Sequence, residues 1–279
     1  MHTKFPPGVK VLVHLGGTQI GVRSNTEALG IQGKRKTVQK RIDAGEGYGG
    51  TLKLGYKAYS YPGADSGFAE HDLDEYDPIA ESIAFTRTLA TLHKGFKLEP
   101  NPETTRDNLV SSTTTGNVEK AMKSVRSFAH VIHGPTLTGG IGSKDVAHFY
   151  SKFFHPLPKS FSSRLLSRTI GTDRVVDELL VSFVHNASIP WMLPGVPPTN
   201  RRVEIVIVSI MCVRGGSLES EHIYWDQASV LVQIGALDAK MVPDALKQKG
   251  VKQLPVVAAE GARAMKRGST RQINSFLES

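Results

Sequence analysis

The chain has 279 residues, 39% hydrophobic and 22% charged, a globular composition long enough for one large or two medium domains with a real core. Its 34 Lys and Arg exceed its 26 Asp and Glu, giving a formal charge of +8, but the densest basic run, GKRKTVQKR (Gly33 to Arg41), lacks the interleaved aromatics of a single-strand binder. It reads as a solvated loop, so no nucleic-acid partner is expected. The single cysteine, Cys212, excludes an internal disulfide and a cysteine metal cluster.

The amino terminus, MHTKFPPGVKVLVHLGG, breaks any signal-like apolar segment with prolines and a lysine, and no apolar run reaches the roughly 18 residues of a membrane span. The expectation is a soluble, cytoplasmic protein with no membrane partner. KVLVHLGG reads as a first strand and LKLGYKAYSYPG as a second, ending at a Pro-Gly turn. In PIAESIAFTRTLATLH, Asp77 is placed to cap and Pro78 to open a helix, with Ile79, Ile83 and Ala90 along one face. Residues 1–100 form one expected domain. The Thr, Ser, Pro and Asn-rich stretch 101–116 reads as a linker to a second domain at 117–279.

In that second domain, NVEKAMKSVRSFAHVIHG has Val118, Met122, Val125, Ala129 and Ile132 at helical spacing, and SKDVAHFYSKFF reads as another helix from Ser143. The period then changes to two. RVVDELLVSFVH, RRVEIVIVSIMCVRGG and SLESEHIYWDQASVLVQIG read as long strands, the last two joined by a hairpin turn at Arg-Gly-Gly. Helices followed by an antiparallel sheet predict an α+β layer packing. GPTLTGGIGSKD fails the P-loop spacing and reads as a tight connection between helices.

Three features carry candidate chemistry. The stretch EHIYWDQ, read as a strand, puts His222, Tyr224 and Asp226 on one face and Ile223 and Trp225 on the other. Either Asp226 is a buried general acid or base partnered by His222 and Tyr224, or the three form a satisfied polar ladder on a solvated face. Glu178 and His185 lie on a strand apolar on both faces, where each is costly to bury unless hydrogen-bonded. Trp191 opens the stiff loop WMLPGVPPTNRRVE, which either overhangs a cavity mouth or caps a sheet edge. His130, His133, His148 and His155 show no metal-ligand spacing, so no metal is expected.

From about Thr136 onward, IGTDRVVDELLVSFVHN, PGVPPTNRRVEI, RGGSLESEHIYWDQ and VLVQIGALD resemble, in order and spacing, the SnoaL-like branch of the nuclear-transport-factor-2-like superfamily. The resemblance implies a cone-shaped, strongly curved antiparallel sheet packed with helices around an apolar cavity. It also implies chemistry without a cofactor and a homodimer. The acidic pocket residue of cyclase-like members corresponds to Asp226. His185 falls in the place of a Gly-Thr-His-Thr-Gly segment whose neighbours are here Phe183, Val184 and Asn186.

KVLVHLGG followed by AYSYPGADSGFAEHDLDEYDPIAESIAFTRTLATL resembles the closing part of dienelactone hydrolases, an α/β-hydrolase family. In this chain Ser66 stands where that family carries its triad His, and no G-x-C-x-G or G-x-S-x-G elbow is present. Lactone hydrolysis by a triad is therefore not expected of this α/β-hydrolase-tail fragment.

The SnoaL-like resemblance implies an enzyme that cyclises, dehydrates or isomerises a small apolar carbonyl compound, aromatic or polyketide-like, with Asp226 moving the proton and His222 and Tyr224 assisting. One alternative is a non-catalytic ligand-binding or assembly module. Another is a lactone or epoxide hydrolase, which calls for an arginine beside the carboxylate, with Arg168, Arg174 and Arg202 as candidates.

Overall fold

The computed structural model describes residues 9–17, strands within 19–53, residues 57–265, 273–274 and 276–277. The amino-terminal leader reading, Met1 to Gly8, lies outside the described residues, as do Gly33 to Arg35 of the basic run. The chain divides into two compact units, Met1–Pro100 and Asn101–Ser279. Among the described residues, no helix is long and apolar enough to cross a membrane.

The first unit contains β1 (Leu12–Gly16), β2 (Gln19–Ser24), β3 (Glu27–Ala28), β4 (Ile31–Gln32), β5 (Lys36–Arg41), β6 (Thr51–Lys53), β7 (Lys57–Tyr61) and α1 (Pro78–Phe96). β7 is the centre of a three-stranded sheet, parallel to β1 and antiparallel to β6. The basic run, expected as a loop, supplies β5, which pairs antiparallel with β2. α1 starts as its sequence dictates: the Asp77 carboxylate accepts hydrogen bonds from the Ile79 and Ala80 amides at 2.9 and 3.0 Å, satisfying donors that the helix itself cannot. Its buried stripe is Ala80, Ile83 and Ala84, packed on Tyr61 and Phe68. Ile79, expected on that face, is 67% exposed, because a stripe through 80 and 84 turns the adjacent position about 100° away.

The second unit runs α2 (Pro102–Thr114), α3 (Val118–Met122), β8 (Val125–His133), β9 (Thr138–Ile141), α4 (Ser143–Phe149) with a π-helical turn at Tyr150–Phe154, β10 (Ser162–Ile170), β11 (Arg174–Val184), β12 (Arg202–Arg214), β13 (Ser217–Trp225), α5 (Gln227–Ile234), α6 (Asp244–Lys247) and α7 (Ala259–Met265). The six strands lie in the order β10-β11-β12-β13-β8-β9. Every neighbouring pair is antiparallel except β13 with β8, which is parallel. Register shifts at Leu165/Ser167, Cys212/Val213 and Leu218/Ser220 add local twist, and the sheet is curved with helices packed on its inner face. Ile205, Ile207 and Met211 of β12, Val181 and Phe183 of β11 and Val131 of β8 share one core with Leu109, Val146 and Phe149.

Three further segments differ from their expectation. SLESEHIYWDQASVLVQIG, expected as one long strand, is strand only to Trp225, where Asp226 caps helix α5 (Gln227–Ile234). The supposed linker, 101–116, is helix α2, capped by the Asn101 side chain on the Thr104 amide at 3.1 Å and opened by Pro102. Its polar composition hid a helix whose hold on the sheet is partly ionic. The supposed long helix from Asn117 stops at Met122, and the rest is β8, whose buried residues Ala129, Val131 and His133 alternate. The positions that matched a helical period also fit a strand, and pairing along β13 decides between them.

GPTLTGGIGSKD therefore joins two strands and a helix rather than two helices. Its glycines answer to contact rather than to phosphate. A Cβ on Gly139, at φ 135°, would lie 1.9 Å from the Val131 carbonyl oxygen, and one on Gly140 would lie 2.5 Å from the Asp145 backbone.

Candidate functional site

The inner face of the second unit's sheet closes over a cavity of about 450 Å³, within the usual range for small-molecule sites. α2 contributes Arg106, Leu109 and Thr113; β10 and β11 contribute Arg168, Leu179 and Val181; β12 and β13 contribute Ile207, Ser209, Glu221 and Ile223. His133, Tyr150, Phe154 and Trp191 complete an aromatic side. The wall's surface is mostly apolar, and several of its polar groups, Arg106, Thr113, His133, Tyr150, Ser209 and Glu221, are buried.

Glu221 is the principal one. Residues 221, 223 and 225 of β13 point inward, so this carboxyl sits buried beside Ile223. It accepts a hydrogen bond from Ser209 Oγ at 2.7 Å and another from the Tyr150 hydroxyl. Burial pushes its pKa up, opposed by Ser209, the Arg106 charge and Tyr150. Burial also pushes the Tyr150 phenol up, and the Glu221 charge adds to that. The result is a carboxyl that exchanges a proton at higher pH than usual, in contact with a phenol that stays protonated.

Behind it lies an ionic cluster. Asp177, buried on β11, receives Arg168 Nε at 2.6 Å and Nη2 at 2.9 Å, and is paired with Arg106 Nη2. Arg168 reaches on to Glu103 at 2.7 Å and Asp107 at 3.0 Å, tying α2 to β10 and β11. Hydrogen bonding from Arg168 holds the Asp107 carboxyl below its ordinary value. Among the described residues that line the cavity, two buried donors have no protein partner, Arg106 Nε and Trp191 Nε1.

His133 is buried between Phe149, Trp191 and Trp225, its ring centroid 5.3 Å from that of Trp191. Its Nδ1 lies 3.3 Å from the Thr138 carbonyl oxygen, which can only accept, so Nδ1 carries the proton. Burial lowers its pKa to about 4, against a small raising effect of that hydrogen bond. Because the unfolded state binds this proton from an ordinary 6.5 downward and the folded state only from about 4, stability falls with falling pH across that window. Wild type is expected to lose up to about 3 kcal/mol relative to His133→Phe between pH 6.5 and 4. Urea denaturation of both proteins at several pH values measures this difference.

The alternation read in EHIYWDQ is present, but the faces are exchanged. His222 and Tyr224 point away from the cavity; His222 Nε2 meets His130 Nε2 at 3.1 Å, and Tyr224 is 47% exposed. Asp226 is exposed and caps α5, its carboxylate accepting from the Ala228 amide at 3.0 Å and from Ser229. Its place is set by the helix start, not by a pocket. Asp226→Asn, which keeps a capping oxygen, is therefore expected to leave both turnover and stability nearly unchanged, whereas Asp226→Ala costs about 1 kcal/mol of stability. A melting curve with a turnover assay checks both.

Of the other candidates, Arg168 and Trp191 line the cavity. Trp191 belongs to the core as well, and its carbonyl accepts from Thr136 and Thr138 hydroxyls at 2.8 and 2.9 Å. Glu178 faces outward and accepts from Ser167 at 3.1 Å. His185 is fully buried away from the cavity, its Nδ1 3.2 Å from the Thr199 hydroxyl and its backbone holding Thr199, Asn200 and Arg201, so it organises the loop. Neither Arg174 nor Arg202 is in the wall. Among the described residues, no cluster of three or more His, Cys, Asp or Glu could hold a metal ion.

Sequence reasoning missed Glu221, Tyr150, His133, Ser209 and Arg106. Glu221 had a signal, being a charged residue in the register of Ile223 and Trp225.

No family model matches the chain, and no curated protein matches it. Solved structures do. A hypothetical protein with a ketosteroid isomerase-like fold from Catenulispora acidiphila, in complex with trimethylamine, is 15% identical, with a TM-score of 0.39 over 52% of this chain and 100% of that one. A candidate SnoaL-like polyketide cyclase from Jannaschia sp. CCS1 is 17% identical, with a TM-score of 0.41 over 50% of this chain and 98% of its own. An LEH-like epoxide hydrolase of M. tuberculosis is 8% identical, with a TM-score of 0.35 over 48% and 86%. Each is a likeness of fold over about half of this chain.

Proposed function

We propose that the second unit is a cofactor-independent acid–base enzyme that moves a proton next to the carbonyl of a small, largely apolar molecule. Glu221, not Asp226, is the proton-transfer group. The observation that carries this reading is a single buried carboxyl in a mostly apolar cavity, its pKa raised by burial and its geometry fixed by Ser209 and Tyr150.

Ionised Glu221 would take a proton from the carbon adjacent to the carbonyl and return it elsewhere on the enolate. N–H donors in the wall would stabilise the charge developing on oxygen. Cyclisation, dehydration and double-bond isomerisation share that step. The test is exchange of the carbon-bound proton with D2O, followed by NMR across aromatic ketones and β-diketones, for wild type and Glu221→Gln. Exchange that persists at the wild-type rate in the variant rules the reading out.

A hydrolytic reading has one observation in its favour. Arg106, whose charge reaches Glu221, keeps Nε–H without a partner, as a water-activating carboxylate beside a donor for a lactone or epoxide oxygen would require. Incorporation of ¹⁸O from labelled water into product separates it from the enolate reading.

A further inference from the structure

On the sheet face turned away from the cavity, β8 and β13 meet along the parallel seam of the six-stranded sheet. His130 stands level with Ser220 and His222 with Ile132, so the two imidazoles approach diagonally across that seam, from positions 92 residues apart in the chain. No spacing along the sequence announces such a pair. Their Nε2 atoms are 3.1 Å apart and their ring centroids 5.2 Å, which sets nitrogen against nitrogen. Among the described residues neither ring has another hydrogen-bond partner. Both residues are half-buried rather than sealed, and Tyr224, two residues on along the same face, is 47% exposed. This part of the face meets solvent.

A neutral imidazole carries its proton on either nitrogen, so a proton held on Nδ1 of each ring leaves two Nε2 lone pairs side by side. Zinc binds imidazole nitrogen at about 2.0–2.1 Å, and two such bonds to atoms 3.1 Å apart enclose about 100° at the metal, close to its tetrahedral preference. A small tilt of each ring aims both lone pairs at one point. We propose that His130 and His222 form a two-histidine chelate for a borderline divalent transition metal, Zn2+ or Ni2+, with the remaining coordination positions filled from solvent. Cys212, in register with Ser220 beside His130, is no third ligand: it is buried against Asp173, and burial pushes its pKa up to about 11, so it stays a thiol. Arg174, whose charge reaches His222, is paired with Asp173 at 2.7 Å, which offsets its repulsion of a cation. Catalytic zinc usually keeps three protein ligands, so this sparser pair binds and exchanges metal rather than carrying a hydrolytic step. Metal held there clips β13 to β8 one residue along from Glu221, on the opposite face. The site stands apart from the chemistry in the cavity.

The experiment is calorimetric titration of the full chain at pH 7.5 with Zn2+ and with Ni2+, and with Mg2+, which prefers oxygen ligands, as the control. Wild type is expected to bind one equivalent of Zn2+ or Ni2+ here and to give no heat with Mg2+. His130→Ala and His222→Ala should each weaken that equivalent at least about tenfold, because the second imidazole acts at the high effective concentration of a group already held in place. His148→Ala, which removes an exposed histidine elsewhere, should leave it unchanged. In wild type, Zn2+ should also shift the ring ¹⁵N resonances of both histidines and slow amide hydrogen exchange at residues 130–132 and 221–223.

Absence of this equivalent in wild type overturns the proposal. So does binding that neither variant weakens, which would mean an adventitious ion only, and binding that only one of them weakens, which would mean a single imidazole. If a variant fails to fold by circular dichroism, the ring resonances decide: Zn2+ that shifts both in wild type supports the chelate, and Zn2+ that leaves either one unmoved overturns it.

Discussion

Glu221→Gln is expected to fold normally and to slow proton exchange and turnover by roughly 10²- to 10⁴-fold, the usual contribution of a positioned general acid–base group. Gln keeps the shape and accepts from Ser209 and Tyr150, so the cavity is retained while the exchangeable proton is lost. The stability readout separates this from damage. A carboxyl whose folded pKa is raised holds its proton while the unfolded chain has released it, so it subtracts stability as pH rises from its ordinary value through the folded one. Gln relieves that penalty. The variant should therefore equal or exceed wild type in urea midpoint at neutral pH, with the advantage vanishing in acid. A variant that is both slow and unstable at neutral pH would point to a structural role for the carboxylate. Tyr150→Phe removes a hydrogen bond to the same carboxyl and should shift the acidic limb of the pH–rate profile upward.

Asp177→Ala is expected to cost about 3–5 kcal/mol of stability, the range for removing one partner of a buried ion pair. Two guanidiniums, Arg106 Nη2 and Arg168 Nε and Nη2, lose their shared carboxylate, and Arg106 is left buried with only an edge contact to Asp107. The double variant Asp177→Leu with Arg106→Met should recover much of the loss, because two apolar groups remove both the charge and its desolvation. Urea denaturation of wild type, single and double variants measures the coupling. A single variant within 1 kcal/mol of wild type would mean that solvent reaches the cluster and screens it.

The long strands after Arg174 and the hairpin at Arg214 to Ser217 were legible because strict alternation leaves few readings. The functional face was not. A polarity pattern states which residues share a face, and on a curved sheet the more polar face faces out. His222, Tyr224 and Asp226 drew attention by being polar together, whereas Glu221, the proposed proton-transfer group, shares its inward face with Ile223 and Trp225. The helix α2 escaped for a related reason. Leu109 is its one large buried apolar side chain, and its remaining hold on the sheet is Arg106 and the acidic partners of Arg168, which a composition scan counts as solvent-facing. β8 was hidden by a spacing that satisfies two periods, resolved by a strand almost a hundred residues later.

The Thr136 and Thr138 hydroxyls that grip the Trp191 carbonyl have a consequence for recognition. They bolt the cavity's aromatic panel to the β8–β9 hairpin, itself seated by glycines where backbone passes within contact of backbone. A panel fixed before the guest arrives loses little freedom when it is occupied. Such a chamber is expected to sort by outline, admitting what already fits and refusing near relatives rather than reshaping around them.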